Sequence, residues 1–222
     1  HFTTSNSSLT YDVIHDIMEK DNQLWVATDG GGINIISLDD FSFTNIQQKQ
    51  DDVHSFPANT IYRLYLDSAN NMWAGRRGLI GIRNVFACSY QNVPFGNLYG
   101  LSNQTINSFF QDSDGMVWVG TDGGGINRFD PLTGTFKHYP STMHEKVVSI
   151  VEYTPDELLF SSFNEGLFIF HKQTGRVRPF VLVDKETNDR ECIDGFSVNI
   201  RRVTPDKILF SGQHIFIYDT TR

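Results

Sequence analysis

The sequence is short of the residues that build several kinds of protein. It has two cysteines, Cys88 and Cys192, far apart and without C-x-x-C spacing. That excludes a zinc ribbon, a dithiol redox centre and a disulfide-dense scaffold, and both are expected as free thiols. Basic residues are outnumbered, 18 Lys and Arg against 26 Asp and Glu, for a formal charge of −8. Non-specific nucleic-acid affinity comes from clustered cations, and the pairs Arg76-Arg77 and Arg201-Arg202 are only local, so no nucleic-acid partner is expected. No apolar run approaches the ~18 residues that cross a bilayer, so no membrane contact is expected from this segment. The chain opens His1-Phe2-Thr3 with neither an initiator Met nor a charged-then-apolar leader, as a processed or excised chain would. Its seven histidines show no H-x-H or H-E-x-x-H spacing, and G-x-S-x-G is missing. No metal site, no cofactor and no catalytic constellation is expected.

What is present is an apolar fraction of 39% and an aromatic fraction of 13% over 222 residues, enough for a full core. There is also repetition. Trp25-Val26-Ala27-Thr28-Asp29-Gly30-Gly31-Gly32-Ile33-Asn34 recurs as Trp118-Val119-Gly120-Thr121-Asp122-Gly123-Gly124-Gly125-Ile126-Asn127, with one difference. Midway lies a degenerate copy, Trp73-Ala74-Gly75-Arg76-Arg77-Gly78, and two weaker copies follow in which Phe160 and Phe210 take the Trp position. Five units fill the chain.

Each unit begins with an alternating run and a tight polar turn, such as Lys20-Asp21-Asn22 or Ser113-Asp114-Gly115. A second run carries the aromatic anchor; a Gly-rich or polar turn, a third run and a fourth run follow. The second run is apolar on both faces, as in Met116-Val117-Trp118-Val119, so it must be covered on both sides and neighbouring sheets must stack. Four-stranded antiparallel units of ~40–50 residues covering one another predict an all-β fold, a β-propeller. The expected blades are 9–50, 57–95, 102–140, 144–184 and 195–222, with 1–8 as the outer strand of a preceding or closing blade.

With its Asp-x-x-Gly/Asn turn, Trp-[Val/Ile]-[Gly/Ala]-Thr strand and Gly-Gly-Gly-Ile-Asn run, the pattern resembles the two-component regulator propeller repeat. The resemblance is strong in the first and third units, partial in the second and weak in the last two. It implies the periplasmic sensor region of a hybrid two-component histidine kinase that responds to oligosaccharides. It further implies a homodimer and a segment without its own enzymatic activity, the kinase lying elsewhere in the parent protein. Family propellers close at seven blades, so five units imply an open segment of a larger ring rather than a small closed one.

The Asp29 and Asp122 Gly-rich runs could cradle phosphate, but a strand rather than a helix follows them, which favours glycines supplying positive φ in hairpins. Asp112-Ser113-Asp114-Gly115 lacks the closing Glu of a calcium loop and reads as a turn. Trp25, Trp73 and Trp118 read as packing between blades rather than sugar platforms. The places where units differ are more informative. In the turn between second and third strands, the Thr-Asp-Gly frame gives way to Arg76-Arg77, Asn164-Glu165 and Gln213-His214. Planar cations, amides and carboxylates suit hydroxyl and uronate recognition, so these six are the candidate ligand residues. The two rival readings are a propeller lyase or hydrolase, with carboxylates drawn from different blades, and a protein-interaction scaffold. The charged connection from Asp184 to Gly195 has no assigned role.

Overall fold

The computed structural model describes residues 1–49, 58–76, 79–84, 89–94, 100–103, 105–183, 190–191, 198–212 and 214–221, with the backbone alone for 76, 79–84, 89–94, 183, 190 and 191. The predicted alternation becomes antiparallel sheet throughout. The first sheet is β1 (Ile14–Lys20), β2 (Gln23–Thr28), β3 (Ile33–Ser37) and β4 (Phe43–Ile46), hydrogen-bonded in chain order. The second is β5 (Arg63–Leu66), β6 (Asn71–Arg76), β7 (Leu79–Asn84) and β8 (Ser89–Pro94). The third is β9 (Ile106–Gln111), β10 (Val117–Thr121), β11 (Ile126–Asp130) and β12 (Thr135–His138), and the fourth is β13 (Val147–Thr154), β14 (Glu157–Ser162), β15 (Gly166–His171) and β16 (Val177–Pro179). A two-stranded pair, β17 (Leu182–Val183) with β18 (Arg190–Glu191), precedes the fifth sheet of β19 (Asn199–Thr204), β20 (Lys207–Ser211) and β21 (Ile215–Asp219). So four sheets have four strands, and the fifth has three among the described residues. Residues 1–8, expected as an outer strand, form turns here, with Phe2 resting on Phe41 and Phe43 at 5.9 and 5.4 Å. Cys88 and Cys192 lie outside the described residues.

The chain forms two compact units, His1–Ile106 and Asn107–Arg222. In the first, Trp25, Ala27, Ile33 and Ile35 of the first sheet pack against Leu64, Met72 and Ala74 of the second and Ile61 before it. In the second, β14 sits between two cores. Leu158 and Phe160 join Trp118, Ile126, Tyr139 and Phe170 on one side, while Leu159 joins Ile200, Ile208 and Phe210 on the other. Trp73, Trp118, Phe160 and Phe210 are almost fully buried, so the repeating aromatic is a packing element.

The first-to-second-strand turns show why the units repeat as they do. Asp21 and Asn22 both have positive φ, the two-residue hairpin that matches strand twist. In the next two sheets an aspartate closes a longer turn and also accepts from the anchor indole. Asp67 accepts from Trp73 Nε1 at 2.9 Å and Asp112 from Trp118 Nε1 at 2.7 Å. Asp112 further accepts from the amides of Asp114 and Met116. Lys172, almost buried just after β15, lies 3.1 Å from Asp112 and 2.5 Å from Glu152 of β13. With its carboxylate accepting from the indole, two turn amides and Lys172, the Asp112 turn is a structural anchor between two sheets. Burial would by itself lower the Lys172 ammonium's pKa, and the hydrogen bonds to Glu152 and Asp112 outweigh it, so the net shift is upward.

Candidate functional site

At the other end of the second strands, each Gly-rich turn is clasped by the connection leading to the next sheet. Gly123 and Gly125 both donate their amides to the Glu145 carbonyl at 3.1 Å, and Gly30 and Gly32 both donate to the Asn59 carbonyl at 3.0 and 2.6 Å. Gly31 N donates to Thr28 Oγ1 at 3.0 Å. These amides are thereby spent within the fold, and the turns are not phosphate cradles. Positive φ is required here: Gly125 has φ +71°, and a Cβ on it would lie 2.1 Å from the Thr142 carbonyl oxygen. Backbone bridges Asp29 with Thr60 and Asp122 with Lys146 complete the parallel, which aligns Asn59 with Glu145 and Thr60 with Lys146.

The turn between β14 and β15 joins the same connection. Phe163 N donates to the Lys146 carbonyl at 2.9 Å, and Glu165 N donates to the Ser162 carbonyl at 3.2 Å. Asn164 takes φ +66°, a conformation asparagine tolerates better than most side chains. The connection and the turn line an open-sided cavity of about 490 Å³, formed by residues 144–146 and 162–165. This is within the size range of small-molecule sites.

Its walls combine an aromatic face with polar groups. Phe163 is 36% exposed, and Lys146 Nζ sits 5.8 Å from its ring centroid and 3.7 Å from Asp122 Oδ1. Glu145 Oε2 and Ser162 Oγ are buried and make no hydrogen bond among the described residues. At the aligned position in the first unit the Asn59 side chain is used internally, accepting from Gln48 N at 2.8 Å. The repeat therefore satisfies this side chain in one unit and leaves it open in the other, and buried polar groups without partners carry a cost.

Of the six residues singled out from sequence, Asn164 and Glu165 line this cavity. His214 lies in the turn before β21, exposed, with its ring 6.2 Å from Phe216, and is not part of the lining. Arg76 ends β6, its backbone paired with Leu79. Arg77 and Gln213 lie outside the described residues. Sequence reasoning missed His144, Glu145, Lys146 and Phe163. The residues of the connection acquire a repeat register only once the shared carbonyl is seen.

The profile of the two component regulator propeller family matches residues 100–123, the stretch through β9, β10 and the first turn residues after it. That stretch carries the two component regulator propeller repeat. No curated protein sequence matches this propeller chain. Among solved structures it is similar to the extracellular domain of the hybrid two component system BT4673 from B. thetaiotaomicron, with TM-score 0.75 and 19% identity, over 92% of this chain and 27% of that one. It is also similar to the extracellular domain of the hybrid two component system BT3049 from B. thetaiotaomicron, with TM-score 0.72 and 18% identity, over 96% of this chain and 35% of that one. A third is PorZ, a surface component of the type-IX secretion system of Porphyromonas gingivalis, with TM-score 0.66 and 12% identity, over 93% of this chain and 32% of that one. At such identities the likeness establishes the fold, all-β and of propeller class, as the repeat predicts. The chain spans about a quarter to a third of the length of these structures.

Proposed function

We propose that this propeller chain is a piece of the extracytoplasmic, periplasmic sensor region of a hybrid two-component kinase. In this reading it binds an oligosaccharide and signals through the geometry of a homodimer. The observation that carries it is the cavity between residues 144–146 and 162–165, where an aromatic face stands beside carboxylates, an amide and a buried hydroxyl. A sugar presents an apolar ring face and a rim of hydroxyls, and a pocket offering one platform and several hydrogen-bonding groups matches both. The family match and the likeness to extracellular domains of hybrid two component systems support the sensing role. The ligand contacts proposed are Asn164, Glu165, Glu145, Lys146 and Phe163; the proposal does not need Arg76, Arg77, Gln213 or His214. Signalling of this kind requires the ligand to prefer one of two dimer states.

Calorimetry against a panel of oligosaccharides tests the reading. At least one glycan is expected to bind, and Phe163→Ala is expected to weaken it about tenfold while leaving the melting temperature within about 2 °C. A panel without a hit would favour the interaction scaffold. The reading is also non-enzymatic. Incubation with polysaccharide lyase and hydrolase substrates is expected to release no new reducing ends, and turnover abolished by Glu145→Gln or Glu165→Gln would replace sensing by catalysis.

A further inference from the structure

The charge of the cavity goes further than a generic sugar site, and the step rests on the reading just given. Glu145 and Glu165 bring two carboxylates to the lining and Lys146 a single cation. That cation is already opposed by Asp122, 3.7 Å away. The balance facing an occupant is therefore negative. Two lining residues also carry a buried polar atom without a hydrogen-bond partner among the described residues. They are Glu145 Oε2, which can only accept, and the Oγ of Ser162, a residue 3% exposed. Beside them is the exposed face of Phe163, whose ring already receives one ammonium at 5.8 Å, so its quadrupole is turned to cations.

We infer that this cavity selects a sugar bearing a free amino group over neutral and acidic sugars. An ammonium placed among Glu145, Glu165 and the Phe163 face would donate charge-assisted hydrogen bonds that a hydroxyl makes more weakly and an N-acetyl group makes only as a neutral amide. A uronate would bring a third negative charge to the same space, where like-charge contact is repulsive. The selectivity is thus assigned chiefly to the two glutamates, while Phe163 supplies affinity for the sugar ring and a cation–π share of the ammonium's attraction.

The test is calorimetry on this chain with three probes at neutral pH: a glucosamine trisaccharide with free amines, its fully N-acetylated form, and a glucuronate-containing disaccharide. The free-amine form is expected to bind about tenfold tighter than the N-acetylated form, the uronate form weakest. Glu145→Gln and Glu165→Gln are each expected to reduce that preference several-fold without lowering the melting temperature, because Glu145 holds the neighbouring turn through its carbonyl rather than its side chain. Phe163→Ala is expected to weaken both glucosamine forms, the free-amine form somewhat more. Equal or tighter binding of the N-acetylated or uronate probe, still sensitive to Phe163→Ala, would overturn the selectivity and leave the sugar site standing. Absence of binding by any probe or by the wider panel would overturn both.

Discussion

At the residue scale, the most consequential polar group is Asp112. It is 6% exposed and holds the Trp118 indole, two turn amides and the Lys172 ammonium. Asp112→Ala would leave the Trp118 indole N–H and two turn amides without their acceptor and Lys172 with Glu152 alone, and is expected to cost about 2–4 kcal/mol, measured by urea unfolding. Lys172 adds a pH dependence whose sign is fixed. Its folded pKa lies above the ordinary 10.5, so the stability it supplies is fully present below that value and is lost as pH rises through the folded pKa. The melting temperature of the natural chain is expected to fall more steeply above pH 10.5 than that of Lys172→Met, and parallel curves would remove the network from the account. Gly125 gives a backbone counterpart. Gly125→Ala meets both an αL penalty of ~1–2 kcal/mol and the Thr142 carbonyl. Gly134→Ala, at φ +68° with open space around it, meets the penalty alone and is expected to be milder by thermal melting.

At the scale of elements, the second strand of each sheet carries the fold. Leu158 and Leu159 are adjacent and both fully buried, yet they enter different cores. Leu158→Ala and Leu159→Ala are each expected to cost about 2–5 kcal/mol in denaturant unfolding. A loss from only one would mean that one side of β14 is not covered. This double burial was legible in the sequence, because Glu157-Leu158-Leu159-Phe160 has no polar alternation. The anchors, the hairpin turns and the Gly-rich turns were legible for the same reason: they recur at fixed places within a unit. The cavity was only half legible. Asn164 and Glu165 stood out as a departure from the Thr-Asp-Gly frame. His144, Glu145 and Lys146 sit in a connection whose length differs between units, so no frame aligns them until Glu145 is seen to do at its carbonyl what Asn59 does. The pairing of Leu182–Val183 with Arg190–Glu191 escaped notice because two residues per strand are too few to show a period.

At the scale of the whole molecule, the cores on both sides of β14 lie wholly within Asn107–Arg222. Residues 107–222 expressed alone are therefore expected to keep β-sheet circular dichroism and a cooperative melt, and a featureless melt would show that this half depends on the other.

The carbonyl of Glu145 has a mechanical implication. One oxygen restrains two amides of the adjoining loop, so any displacement of that peptide stretches both tethers together, and the wall cannot give way by degrees. A ligand seated there would push against something closer to a latch than to a spring.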